Sequence, residues 1–234
     1  MSDIQVDFAW GKAGLNDRLP ASDVVVIVDV LSFSTAVDVA VSRGAAVLPY
    51  RYRDATAAAF AAEQQAVLAG SRRDGGPSLS PPSLAALDAG ARLVLPSPNG
   101  STLSTLVGNK TAFAACLRNA AAVAAAVPAD ARVLVIAAGE HWPDGSLRPA
   151  LEDLLGAGAV LARLNGRLSS DAAAAAGAYR ELCDDLAGAL TQCPSGQELI
   201  AAGYPDDVTW AADEGCSVAI PRLIDGAYRD GACL

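Results

Sequence analysis

Residues 23–44 constrain this chain more than any other stretch. Val24 to Leu31 is an apolar run rich in β-branched residues, broken by one charge, Asp29. Such a run forms a strand covered on both faces, as in the parallel sheet of an α/β protein. Ser32, Phe33, Ser34 and Thr35 follow, then a helical segment ending near Gly44. Thr35 with Asp38 three positions on has the form of a helix N-terminal cap, and Gly44 suits the position just past a helix. In open α/β sheets, ligands lie beyond the carboxyl ends of the strands. Asp29 stands near such an end, where a carboxylate is costly to bury unless a cation or donors meet it. The hydroxyls after it lie at a helix start, where free N–H groups and the helix dipole favour an anion. A carboxylate beside an anion cradle has the chemistry of a metal–phosphate site. The same residues are compatible with a plain strand-end turn followed by ordinary helix caps.

The remaining chain alternates between strand and helix patterns. Residues 3–9 alternate polar and apolar, which predicts a half-exposed strand, antiparallel or near an edge. Residues 11–22 read as a loop, 45–50 as a strand, and 55–68 as an Ala-rich helix stopping at Gly70. Residues 70–83 carry the longest loop signal, which in a compact domain marks a functional or mobile segment. Residues 83–89 follow as a short helix. Strands are expected over 92–96, 111–116 and 132–138, with helices over 101–107 and from just after Asn119 to near Pro128. Pro149 fits the first turn of a helix whose apolar face is Leu151, Leu154, Leu155 and Leu161. A long helix over 171–189, a short one within 192–203, a helix or loop from Tyr204, a last strand over 217–221 and an exposed tail after Ile224 complete the expectation. This pattern predicts a single α/β domain over residues 1–234: a three-layer α/β/α sandwich with a mixed, largely parallel sheet.

Composition removes several function classes. The chain has 234 residues, 52% of them hydrophobic, a net charge of −9 and a pI near 4.5. Nucleic-acid binders need a basic face, so no nucleic-acid partner is expected, whereas a small anion needs only a local nest of donors. The Met1-Ser2-Asp3-Ile4 start has no signal-peptide pattern, and the Ala-rich stretch 119–129 is too short for a bilayer, so no membrane partner is expected. The five cysteines are odd in number and form no Cys-x-x-Cys pair, which points to reduced thiols in the cytoplasm. His141 is the single histidine, so a metal here would be a hard cation on carboxylates, with Mg2+ the first choice.

Two later junctions repeat the theme. Ser97-Pro98-Asn99-Gly100-Ser101-Thr102 follows a buried strand with a strong turn signal, and it reads as an oxyanion cradle or as a tight turn with a helix cap. Glu152 and Asp153 lie in the first turn of a helix. The dipole favours acids there, and one of them could equally point back to hold a cation.

Taken in order, Asp29-Val30-Leu31-Ser32-Phe33-Ser34-Thr35, Ser97-Pro98-Asn99-Gly100-Ser101, Asn119 before its Ala-rich helix, and Glu152-Asp153-Leu154-Leu155-Gly156-Ala157-Gly158-Ala159 resemble the 2-phosphosulfolactate phosphatase family over nearly the whole chain. The resemblance implies an α/β/α fold and a Mg2+-dependent phosphatase of the kind known from coenzyme M biosynthesis. It implies Asp29, Glu152 and Asp153 as catalytic cation ligands, and Ser34, Thr35, Asn99, Gly100, Ser101 and Asn119 as the phosphate- or substrate-binding set. The chain departs from the family pattern at Ser32, where Arg is usual, at Ser78-Leu79-Ser80-Pro81, where Gly-Asn-Ser-Pro is usual, and at Ser195-Gly196-Gln197-Glu198-Leu199, where His and Arg are usual. Arg72, Arg118 and Arg148 are the candidates to compensate. A phosphoaspartate at Asp29 is disfavoured because no Asp-x-Asp pair is present. The rival readings are a non-catalytic binder of a small anionic metabolite and an interaction protein whose Ala-rich helices pack a homodimer.

Overall fold

Val24–Val28 is buried along its whole length and occupies an interior position of the sheet, as its apolar run requires. The computed structural model describes residues 5–233, so positions 3 and 4 of the first expected strand lie outside the described residues. The elements are β1 (Gln5–Trp10), α1 (Gly11–Arg18), β2 (Val24–Val28), α2 (Phe33–Ser42), β3 (Ala46–Tyr50), α3 (Ala55–Glu63), β4 (Val67–Leu68), β5 (Arg92–Pro96), α4 (Gly100–Leu106), β6 (Thr111–Ala115), α5 (Ala120–Ala126) and β7 (Val133–Ala137). They continue with β8 (Glu140–His141), β9 (Leu147–Arg148), α6 (Leu151–Leu161), β10 (Arg167–Leu168), α7 (Ser170–Leu182), α8 (Leu186–Gln192), α9 (Pro194–Ala201), α10 (Pro205–Ala212), β11 (Pro221–Ile224) and β12 (Ala227–Asp230).

Among the described residues, ten strands form one mixed sheet in the order β10-β1-β7-β2-β6-β11-β12-β3-β5-β4. The first five are mutually parallel, and so are β3, β5 and β4. The β11–β12 hairpin joins the two sets through antiparallel pairs on both sides, so the sets run in opposite senses. Alternate residues of the central strands face opposite layers. Val24, Val26, Val28, Val133 and Val135 pack under α5, α6 and α7, whereas Val25, Ile27, Leu134 and Ile136 pack with Leu15 of α1 and Leu103 of α4. This is the expected α/β/α sandwich.

Several boundaries differ from the sequence expectation. Residues 11–18 form a helix rather than a loop, anchored by fully buried Leu15 even though two of the eight residues are glycine. The helix expected over 55–68 ends at Glu63. Gln65 takes φ 51°, and Val67–Leu68 pair with Leu93 and Val94 instead. Residues 83–89 give only a 3-10 turn, Pro81–Leu84. The long helix over 171–189 is two helices, because the Asp185 side chain accepts the Gly188 N–H and starts α8 afresh. β1 is one strand in from the edge and parallel to both neighbours. Pro149 stands ahead of the helix, which begins at Leu151. The final strand expected over 217–221 is displaced to Pro221–Ile224, and a further strand, β12, follows it. The tail expected to be exposed is only partly so: Asp225 (φ 48°) and Gly226 (φ 77°), themselves exposed, make a two-residue hairpin turn that returns β12 to the sheet and buries Ala227 and Tyr228. Tyr228 of β12 is fully buried, with its ring edge on Phe33 and its hydroxyl 2.7 Å from Ser104 Oγ.

Candidate active site

β2 stops at Val28, and Asp29 begins the turn into α2. The Asp29 side chain is buried and bridges two helix starts. Oδ1 accepts the Phe33 N–H at 3.2 Å, and Oδ2 accepts the Gly100 N–H at 2.7 Å. Only glycine allows the second contact: a Cβ on residue 100 would lie 2.2 Å from Phe33 Cδ1 and 2.8 Å from Asp29 Oδ2. The free N–H groups expected to cradle a substrate anion at the start of α2 thus meet the chain's own carboxylate. The cap position is Ser32, not Thr35, and Asp38 pairs with Arg118 and Ser217 rather than closing a capping box.

The expected hydroxyls turn inward. Ser34 Oγ accepts the Asp29 N–H and donates to the Ile27 carbonyl, Thr35 Oγ1 donates to the Val30 carbonyl, and Ser101 Oγ donates to the Leu95 carbonyl. All three are buried and fasten each helix start to the strand before it. Asn119 is also buried; it accepts the Cys116 N–H at 2.9 Å and stands beside Asp38, away from the cavity lining.

The third junction supplies acids. Asp153 is buried, and both its oxygens hold backbone: Oδ1 accepts the Val30 N–H at 2.7 Å and Oδ2 the Gly139 N–H at 2.8 Å. Glu152 is 1% exposed, lies against the Cys193 thiol, and leaves Oε2 without a partner. Glu140, just past β7, accepts the Asn99 Nδ2–H at 3.0 Å. Asn99 Oδ1 is buried and unpartnered.

These acids crowd one another. Burial pushes Asp29 up to about 6, with the Glu152 charge adding to it and the Gly100 and Phe33 N–H groups opposing. Burial, then the Asp29 charge, pushes Glu140 up to about 7. Asp153 is raised well above the usual carboxylate range by burial and by Asp29 and Glu152.

Asp29, Ser32, Arg72, Asn99, Glu140 and Ser195 line a cavity of about 240 Å³. Arg72 comes from the 70–83 loop. Its Nη2 donates to Ser32 Oγ at 3.0 Å, its Nε to Asp207 at 2.8 Å, and it lies against the Tyr204 ring. Of the three candidate arginines, this is the one on the cavity wall. Arg118 is tied to Asp38 and Trp210, and Arg148 to Glu198 and the Trp142 ring. Ser195 Oγ is buried and unpartnered. A larger hollow of about 660 Å³ beside Lys110 and Arg222 has no such orphaned side-chain atom on its wall. His141 is exposed in the β8–β9 hairpin.

The three junctions therefore converge. Asp29, Asn99, Gly100, Glu152 and Asp153 come together, whereas Ser34, Thr35, Ser101 and Asn119 support the fold around them. Glu140 was not singled out from sequence. The signal for it was the one used for Asp29: an acid just beyond the carboxyl end of a buried strand. Among the described residues, no three His, Cys, Asp or Glu side chains form a ready-made cation cage. The donor set nevertheless fits Mg2+, which takes one or two carboxylates, keeps several waters and shares substrate oxygens. The orphaned Glu152 Oε2 beside Asp29 is the observation that favours it.

Among the described residues no helix is long and apolar enough to cross a membrane. A family model described as 2-phosphosulpholactate phosphatase matches residues 13–226. The chain is 30% identical to a 2-phosphosulfolactate phosphatase of Methanothermobacter thermautotrophicus, over 92% of this chain and 91% of that one. It is also 30% identical to a probable 2-phosphosulfolactate phosphatase of Gloeobacter violaceus (86% and 88% covered), and 29% identical to another of Thermotoga petrophila over 59% and 60%. A match over nine-tenths of the chain, with the ordered junctions gathered round one acidic cavity, places it plainly: the chain belongs to the 2-phosphosulfolactate phosphatase family.

Proposed function

We propose that this phosphatase-family enzyme is a Mg2+-dependent hydrolase of a small anionic phosphomonoester of the 2-phosphosulfolactate kind. The observation that carries the reading is the meeting of Asp29 and Arg72 on one cavity wall, with Glu152 buried close enough for its charge to act on Asp29 and its Oε2 left unpartnered. Asp29 and Glu152 would hold the cation. When bound, Mg2+ supplies Lewis-acid polarisation of a phosphoryl oxygen and a more acidic water. The chain's own residues do the rest. Asp207 and Ser32 hold the Arg72 guanidinium on the cavity wall, where it can pair with an anionic oxygen of the substrate. Ser195 offers a free hydroxyl to the same ligand. Asp153 keeps the ends of β2 and β7 together so that the acids stay in register. A substrate with a second acidic group suits a cavity that carries a guanidinium in addition to a cation site.

The test is phosphate release from 2-phosphosulfolactate and a panel of other phosphomonoesters, with Mg2+ and with excess EDTA. We expect turnover that chelation abolishes and Mg2+ restores. Turnover that persists in EDTA overturns the cation dependence. Saturable binding of the panel without phosphate release under any cation marks a non-catalytic binder instead.

A further inference from the structure

Asp153 and Glu140 divide the work differently from what their sequence positions suggest. Asp153 has each oxygen in a short hydrogen bond to a backbone N–H and is absent from the cavity wall. Those two N–H groups belong to Val30 and Gly139, the immediate neighbours of Asp29 and Glu140. Glu140 does line the cavity. Asn99 Nδ2 fixes its Oε2, and Oε1 has no hydrogen-bond partner among the described residues. Its backbone is held as well as its side chain. Gly139 takes φ +67°, and a Cβ there would lie 2.8 Å from Leu147 Cδ1 and 3.0 Å from the Arg148 carbonyl, so the turn that presents Glu140 is tightly packed. Two further observations point to a ligand here. Ser195 Oγ, 5% exposed and on the same wall, has no partner, and behind the wall Glu152 Oε2, close enough for its charge to act on both Asp29 and Glu140, has none either.

We propose that Glu140 is a cation ligand of this site, presented to the cavity together with Asp29, and that Asp153 is a positioning residue that sets both through the backbone. The assignment rests on the cation-dependent reading above. Mg2+ is satisfied by a few carboxylate oxygens in a fixed arrangement plus water, and Glu140 has the free oxygen and the anchored rotamer that this requires. Asp29 also has a backbone donor on each oxygen but lies on the cavity wall; Asp153, bound in the same way and absent from the wall, has the geometry of a clamp.

The probe is Mn2+ alone, titrated into the full chain and followed by the electron paramagnetic resonance signal of the free ion, with thermal unfolding of each metal-free variant alongside. Wild type is expected to bind Mn2+. Glu140→Gln should weaken binding at least tenfold with a metal-free Tm equal to or above wild type. Glu140→Asp, which keeps the charge, should recover part of the loss and serves if the Gln variant does not fold. Asp153→Asn should lower metal-free Tm and Mn2+ affinity together, because its amide faces a backbone N–H. If Glu140→Gln binds like wild type while Asp29→Asn does not, the Glu140 assignment is overturned and the cation reading stands. If Asp153→Asn leaves both readouts unchanged, the positioning role is overturned. If wild type binds no Mn2+ at millimolar concentration, both the inference and the cation reading fall.

Discussion

Asp29 is a buried carboxylate that meets two backbone N–H groups and the Ser97 hydroxyl, with the Glu152 charge close by and, among the described residues, no cationic side chain paired with it. An ion-pair partner would have made it a structural salt bridge; here the missing positive charge is the informative feature. Asp29→Asn keeps the shape and one acceptor oxygen. That oxygen can serve the short Gly100 bond, and the Ser97 hydroxyl can turn to accept from the new amide, so the longer Phe33 contact at 3.2 Å is the one left unmet. Removal of a charge that burial already disfavours offsets that loss, so Tm should hold or rise. Turnover should fall by roughly 10³-fold or more, since cation placement is worth several kcal/mol and each ~1.4 kcal/mol is tenfold. Turnover and melting measured on one purified variant check this. Retained turnover with a lowered Tm would assign Asp29 to the fold alone.

α6 is the element that brings the acids to the cavity, and its glycines decide how close it comes. A Cβ on Gly156 would lie 2.5 Å from Val30 Cγ2 and 2.9 Å from Val28 Cγ1, and one on Gly158 would lie 2.3 Å from the Ala175 carbonyl of α7. The first contact is with β2 beneath the site and the second with the neighbouring helix. Either change to Ala forces backbone to move, at about 1–3 kcal/mol for overpacking. In a chain of this size that is a Tm loss of roughly 2–12 °C. The two should differ in function. Gly158→Ala should lower Tm with turnover per folded molecule within about twofold of wild type. Gly156→Ala, which pries α6 from Val30, should also shift the Asp153 clamp and reduce turnover. Differential scanning and initial rates on the two variants separate stability from placement.

Across the whole molecule, the acid cluster gives stability a pH dependence with a definite sign. In the metal-free protein Asp29 and Glu140 are raised by burial, to about 6 and about 7. The fold therefore binds their protons more tightly than the unfolded chain does. That stabilisation is fully present below the unfolded values, near pH 4, and is lost as pH rises through about 6 and then about 7. Metal-free Tm should fall from pH 5 to pH 8, and Mg2+ should reverse the fall by favouring the ionised form. The exposed Arg132–Asp23 and Arg18–Asp17 pairs contribute little in comparison. Melting curves across that range, in EDTA and in Mg2+, test it; a metal-free Tm that rises over the window contradicts the account.

Much of this protein is determined by its sequence alone. The apolar runs at 24–28, 92–96, 111–115 and 133–137 are strands because nothing but a doubly covered sheet buries them, and the intervening Ala-rich segments are helices. Asp29, Asn99, Gly100 and Glu152 were legible as junction residues by the same local rule. The turn into β12 was also written there as Asp225-Gly226, yet its value depends on a sheet waiting to receive Tyr228. Residues 67–68 are strand only because β5 lies beside them. Which junctions meet was decided by tertiary structure. β5 belongs to the set that runs against β2, and α4, packed on both β2 and β3, delivers the Gly100 N–H to Asp29. The contacts that build the site span 71 residues from Asp29 to Gly100, 123 from Val30 to Asp153 and 135 from Arg72 to Asp207. Periodicity and capping report energies within a few residues of one another. Which hydroxyls turn inward and which guanidinium reaches the cavity depend on partners brought together only after the chain has closed.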